Sequence, residues 1–132
     1  MPSFSAQVSN WTKQTRQRIN AVYRTAIDET VDDMLTTKRE GGNLPIDTGN
    51  LRRSFLLSTT GLPNLGGTAT GDVSLVLAGV NYGDTVFGGF QAIYARRQNY
   101  GGDGITGNYF QDLATAKWTQ NVAAAERKLR TT

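Results

Sequence analysis

The segment Pro45-Ile46-Asp47-Thr48-Gly49-Asn50-Leu51-Arg52-Arg53-Ser54-Phe55 decides how the rest of the chain is read. It predicts a tight turn feeding a strand. Asp47 and Thr48 can fold their side chains back onto nearby backbone N–H groups, and Gly49 supplies a permissive φ. In the strand after the turn, over 51–59, alternation sends Leu51, Arg53, Phe55 and Leu57 to one side. Arg52, Ser54, Leu56 and Ser58 go to the other. Asp47, Thr48 and Gly49 are therefore structural turn residues. Taken alone, a turn before a strand is a local element of no particular function.

Working outward from the turn, the upstream chain predicts one long amphipathic helix over about residues 5–38. Phe4, Val8, Trp11, Thr15, Ile19, Val22 and Ala26 recur at steps of three and four and form one apolar stripe. After Ala26 the phase changes. Ile27, Val31, Met34 and Leu35 project away from the first stripe by about 120–180° at about 100° per residue. A helix with two apolar faces in succession needs two partners. One solution is a kink within a single domain. The other packs one half on the chain's own sheet and presents Val31, Met34 and Leu35 to a neighbouring subunit. Gly41-Gly42 is expected to end the helix.

Downstream, residues 72–80 are β-branched and aliphatic and predict a second strand. Residues 90–100 predict a third strand or a short helix. Segments 61–71, 81–89 and 100–107 are glycine-rich connections. None precedes a Gly-Lys-Ser/Thr, so none cradles a phosphate; they are expected to be mobile and to order on docking. Asn108, with Gln111 three residues on, predicts the cap of a last helix. Its buried face would hold Phe110, Leu113, Ala114, Trp118, Val122, Ala125 and Leu129. The resulting fold class is α+β, one domain over residues 1–132. A small, mainly antiparallel sheet packs against a long N-terminal helix and a C-terminal helix.

Tyr94-Ala95-Arg96-Arg97-Gln98-Asn99-Tyr100-Gly101 supplies a second motif, of the form Tyr-Ala-x-x-x-(acidic or polar)-x-Gly. Together with Asp47-Thr48-Gly49-x-Leu51-x-x-Ser54 it resembles the signature of the tailed-phage tail-completion, or head-to-tail joining, proteins, the gene-product-ten-like family. The order of elements is similar over roughly residues 5 to 130. Two features depart from that pattern: Asn99 stands where the family often has Glu, and Gly107-Asn108-Tyr109-Phe110 replaces a proline-rich run before the last helix. The resemblance implies a structural virion protein. Copies would form a homo-oligomeric ring, a hexamer, at the neck where tail meets head. The ring would contact head connector or stopper proteins on one side and the tail tube or tail terminator on the other. It would surround the DNA channel, after assembly in the host cytoplasm. A head-side minor capsid or stopper protein is the neighbouring alternative.

Composition limits the other function classes. The chain of 132 residues has no Cys and no His. Disulfides, thiolate metal sites, a cysteine nucleophile and Ser-His-Asp chemistry are thereby excluded. No spacing argues for Ser-Lys or paired-carboxylate catalysis, so no enzyme and no cofactor is expected. No apolar run reaches the roughly 18 residues of a membrane span. The net charge is +3, with its signs segregated. Residues 1–27 hold Lys13, Arg16, Arg18 and Arg24 and no acid. Residues 28–40 hold Asp28, Glu29, Asp32, Asp33 and Glu40 against Lys38 and Arg39. Such segregation suggests contacts between complementary subunits. The acidic group is expected to be a solvated or paired helix face in place of a metal site. Arg52, Arg53, Arg96 and Arg97 form two doublets beside the matched motifs; beyond plain surface solubility, they are candidates for pairing with carboxylates of an adjacent subunit. Lys13, Arg16 and Arg24 are candidates to line the DNA channel by non-specific proximity. They also carry the alternative reading, a small basic nucleic-acid-binding accessory protein. No aromatic is expected to interleave with them on that face.

Overall fold

Ser3 starts the long helix: its Oγ accepts a hydrogen bond from the Ala6 N–H at 3.2 Å, satisfying one of the donors a helix start leaves open. In the computed structural model, which describes residues 3–45, 50–69, 71–102 and 105–130, α1 then runs Phe4–Leu35. Its 32 residues span about 48 Å at 1.5 Å per residue. It ends before the Gly41-Gly42 pair. Thr36 leaves helical geometry, and the chain hooks back through a 3-10 turn at Lys38–Glu40. Lys38 N–H donates to Leu44 O at 2.9 Å and Leu44 N–H to Thr36 O at 3.2 Å. The hook buries Leu44 completely. Gly42 is required there, because a Cβ would lie 2.1 Å from Thr36 O.

The turn residues Asp47, Thr48 and Gly49 lie outside the described residues. The chain does not enter a strand directly after them. Asn50–Arg53 form one helical turn, α2, closed by Ser54, whose N–H and Oγ both donate to Leu51 O. The strand β1 is shorter than expected, Phe55–Ser58. Leu51, Phe55 and Leu57 point inward as the alternation demanded, but Arg53 is on the surface because it belongs to the helical turn.

The expected second strand is a helix, α3, over Val73–Ala78. Asp72 caps it, its Oδ1 accepting from Ser74 N–H at 2.9 Å. Leu77 and Val80 enter the core. The true partner of β1 is β2, Phe87–Phe90, antiparallel, with Phe55 opposite Phe90 and Leu57 opposite Gly88. Gly88 and Gly89, expected to sit in a loop, lie inside this strand. A Cβ on Gly88 would come within 3.0 Å of the Phe55 ring, so glycine there lets the aromatic side chain lie across the sheet.

Then come α4, Ala95–Tyr100, the short pair β3 (Gly101–Gly102) and β4 (Ile105–Thr106), and a C-terminal helix in two pieces. These are α5, Phe110–Ala116, and α6, Trp118–Arg130, with the break at Lys117. Phe110, Ala114 and Ala125 are buried as expected. Leu113 and Trp118, expected on the same buried face, remain substantially exposed. The fold is α+β: a long N-terminal helix and a C-terminal helix around a small antiparallel sheet.

The core lies on the second half of α1. Ile27, Val31 and Met34 pack with Leu44, Leu51, Phe55, Leu77 and Phe110. Rings of Phe55, Phe90 and Phe110 form an edge-to-face series with centroids 5.2 Å apart at each step. Asn121 ties α6 to α1, its Nδ2 donating to Thr30 Oγ1 at 3.0 Å and Asp33 Oδ2 at 3.2 Å.

This placement corrects one expectation directly. Val31 and Met34 are only 5% and 8% exposed within a single chain, and Leu35 is half-buried against the same cluster. They face their own sheet and hook in place of a neighbour. Met34→Ala is expected to destabilise the isolated chain by about 2–5 kcal/mol, as for other large-to-small core changes. Val31→Asp is expected to abolish its cooperative thermal transition, read by circular dichroism. Retention of the wild-type Tm in both variants would return these residues to the surface.

Candidate functional site

The half of α1 expected to be covered is the half left open. Phe4 is 81% exposed and Trp11 66%, with Val8 and Ile19 also on the surface. The reason is the reach of α6. Asn121 sits beside Thr30, and Glu126 feels the charge of Arg18, so α6 runs back along α1 and ends before its first turns. Ala26 is buried and Val22 half-buried, while Ile19, Trp11, Val8 and Phe4 of the same stripe are exposed.

Where the open half begins, the loop after α3 closes against it and makes a groove of about 520 Å³. Trp11, Thr15, Arg16, Ile19, Asn20, Asn81 and Tyr82 line it. Its floor is fastened by side chains. Asn20 Oδ1 accepts from Tyr82 N–H at 2.8 Å, and Asn20 Nδ2 donates to Asn81 Oδ1 at 3.2 Å. Tyr23 Oη donates to Asp84 O at 2.7 Å. The Tyr23 ring meets Tyr82 and Trp118 edge-to-face. Arg24, a candidate for the DNA channel, is used in this clasp: its guanidinium donates to Val80 O and Asn81 Oδ1. Lys13 and Arg16 remain exposed. They share a smaller depression with Val8, Ser9 and Gln17. The fold thus sets Trp11 and Tyr82 beside Arg16. Sequence order hid this, because Tyr82 arrives from a loop far along the chain.

The opposite charge collects one step further along the same helix. Asp28, Glu29 and Asp32 are exposed. The Asp32 carboxyl is held above its ordinary pKa, first by partial burial and then by the charges of Asp28, Glu29 and Asp33. The Arg52 charge acts in the opposite direction, so one of the arginines expected to meet another subunit lies near an acid of its own chain. Arg53, Arg96 and Arg97 are exposed on α2 and α4. Among the described residues, no group of three acidic side chains is arranged to hold a metal ion, and no helix is long and apolar enough to cross a membrane.

The second motif is structural in detail. Ala95 is buried where α4 starts, and Gly101 ends it at φ 88°. Asn99 is 1% exposed. Its Oδ1 accepts from Gln111 N–H at 3.0 Å, capping the start of α5, and its backbone O accepts from Tyr109 N–H at 2.8 Å. The cap expected from Asn108 is therefore supplied by Asn99. Asn108 instead donates through Nδ2 to Gln98 O at 3.0 Å, which holds the connecting loop.

Gln91 carries a role that sequence reasoning missed. It is buried, and its side chain bonds both faces of one residue: Nε2 donates to Ala69 O at 2.7 Å and Oε1 accepts from Ala69 N–H at 3.1 Å. Its backbone O accepts from Gly66 N–H at 2.6 Å. The segment 61–71 is thus tied to the sheet near residues 66–69, contrary to the expectation of an untethered loop. A glutamine after a glycine-rich strand carries no signal of this.

No family model, no curated protein and no solved structure matches the chain.

Asn99→Ala removes the side-chain acceptor of the Gln111 N–H and is expected to lower stability by about 0.5–2 kcal/mol, the range of lost helix caps. Asn108→Ala should have a smaller effect, and equal losses in chemical denaturation would return the cap to Asn108. Asp32→Asn is expected to raise Tm at neutral pH. A carboxyl whose folded pKa is raised binds protons more readily in the folded state, so its ionisation opposes folding as pH rises through that pKa. The gain should shrink as pH falls through the carboxylate range, and a gain independent of pH would point to a cause other than charge.

Proposed function

We propose that this chain is a structural component of a tailed-phage virion. Its copies close into a ring that completes the tail and joins it to the head connector around the DNA channel. The observation that supports this most is the division of α1. A single chain builds its core on the Ile27–Met34 part of α1 and leaves Phe4 and Trp11 largely exposed, at 81% and 66%. A domain working alone gains nothing from a large exposed Trp and Phe on one stripe. A subunit of a symmetric assembly completes them with a neighbour. The motif residues agree with this reading in kind. Leu51, Ser54, Ala95, Asn99 and Gly101 hold the scaffold.

A second reading has its own observation. Trp11 and Tyr82 flank Arg16 in the groove, and exposed aromatics beside cations are what a single-stranded nucleic acid stacks on. The alternative of a small nucleic-acid-binding accessory protein draws its support from there.

Separated heads and tails incubated with the purified chain provide the test. The expected result is joined particles under the electron microscope with the wild-type chain. Phe4→Asp with Trp11→Asp should give few or none, at unchanged Tm. Binding to heads alone would place the chain on the head side, as a stopper. Full joining by the double variant would remove the arm from the function. Tight, strongly salt-dependent DNA binding with no joining would favour the second reading.

A further inference from the structure

We propose that the groove between α1 and the loop after α3 binds single-stranded nucleic acid through two adjoining subsites. A base lies against Trp11 and Tyr82, and the phosphates beside it meet Arg16 and Lys13. This rests on the nucleic-acid reading given above and not on the ring. Trp11, Ile19 and Tyr82 line the groove, Lys13 and Gln17 line the smaller depression, and Thr12, Arg16 and Asn20 line both. An aromatic compartment therefore opens into a cationic one across a shared wall. Both rings are available, Trp11 at 66% exposure and Tyr82 at 68%. The groove's volume of about 520 Å³ lies within the roughly 300–1,000 Å³ of ligand clefts.

The charge of both compartments selects an anion. Neither lining contains an acid. Asp84, the acid of the adjoining loop, is committed within it, its Oδ2 accepting from Asn81 N–H at 2.8 Å. Arg24 is spent on Val80 O and Asn81 Oδ1, whereas Lys13 and Arg16 form no ion pair among the described residues. The hydrogen bonds of the floor also fix which way its amides point. Tyr82 N–H donates to Asn20 Oδ1, so Asn20 Nδ2 is the atom that meets Asn81 Oδ1. Asn81 Nδ2 is left as a donor at the groove, and every base carries acceptors on its edge for such a donor to meet. Stacking on an aromatic side chain is likewise indifferent to base identity, so the site holds a strand without reading its sequence. Duplex does not satisfy it, because paired bases are stacked on one another and keep their faces from a side wall. A single strand offers a base face and a phosphate at each step, which is the order in which the two compartments lie.

The experiment titrates the full chain into a dye-labelled oligothymidylate, read by fluorescence anisotropy over about 50 to 200 mM salt, with Tm as the control for folding. Two phosphate contacts predict a slope of log affinity against log salt of about −1.4. Binding should also quench tryptophan emission, and Trp118→Phe should keep that quench because it arises at Trp11. Trp11→Leu is expected to remove the quench and weaken binding roughly 5- to 100-fold, the range for loss of one stacked base. Lys13→Gln with Arg16→Gln should flatten the salt slope. Arg96→Gln, an equal loss of charge outside both depressions, should change neither quantity. Duplex bound as tightly as the single strand would overturn the proposal, as would displacement of the strand by poly-glutamate at equal charge concentration. Thymidine monophosphate competing as tightly as the oligomer would make this a free-nucleotide site and overturn the strand. DNA binding untouched by the groove variants would end this site and leave the nucleic-acid reading standing, whereas no binding at low salt would end both. Trp11→Leu keeps an apolar surface for a neighbouring subunit, so its loss of oligonucleotide binding with heads still joined to tails would support the strand contact independently of the ring.

Discussion

The face of α1 between Ala26 and Met34 is the constraint on which the other elements depend. The sheet beside it has two strands of four residues each, and a two-stranded ribbon of that length is at best marginal alone in water. Its inner residues, Phe55, Leu57 and Phe90, become a core only because Ile27, Val31 and Met34 lie over them and Phe110 closes the side. Once that face of the helix is committed, its length does the rest. A helix of 32 residues is far longer than so small a sheet can cover. α6, with 13 residues, lies along only part of it. The open arm at the N-terminus is the geometric remainder.

How much of this was legible depended on which kind of signal each segment carried. The long helix was readable, because its apolar positions keep a spacing of three and four over many turns, and the change of phase after Ala26 was real. What the pattern did not contain was which face meets which partner. Periodicity reports that a face is apolar, not whether its cover comes from the same chain. Val73–Ala78 reads as a strand in sequence because Val, Leu and Val suit a pleated surface, although Asp72 two residues before Ser74 is a helix-start signal. In a helix of six residues the cap and the packing of Leu77 outweigh propensity. Phe87–Phe90 was hidden by Gly88-Gly89, which reads as a loop. Those glycines belong in the strand because the Phe55 ring occupies the space that a side chain on Gly88 would fill, and Pro63 crowds Gly89.

The polar residues were the least legible, for a physical reason. A buried amide is defined by its partners, and those lie far away along the chain. Asn99 caps a helix that starts eleven positions later, and Gln91 holds the backbone of Ala69. Either residue, seen in sequence, is an ordinary polar side chain. The fold supplies a reason for a polar residue at position 99. Its acceptor oxygen answers the Gln111 N–H, while Gly101 provides the positive φ that lets the chain leave α4. An amide suits the position, because its Nδ2 also donates to Asp112 Oδ1 at 3.4 Å, which a carboxylate could not do.

Arg24 shows why charge along a helix is not a single surface. Lys13, Arg16 and Arg24 look equivalent in sequence, as members of an acid-free run. In the fold, Arg24 lies where the loop after α3 passes, and its guanidinium satisfies Val80 O and Asn81 Oδ1. Its charge is spent on two neutral acceptors that close the groove floor. Lys13 and Arg16 lie beyond the loop and keep theirs for whatever arrives from outside. The same division runs through the acids: Asp33 accepts from Asn121 at the seam of α1 and α6, while Asp28, Glu29 and Asp32 stay exposed. Each half of the helix therefore gives up one charge to hold its own chain together and keeps the rest at the surface. That partition follows from where α3, α6 and their loops end, and it leaves the segregated signs of α1 outward-facing after folding is complete.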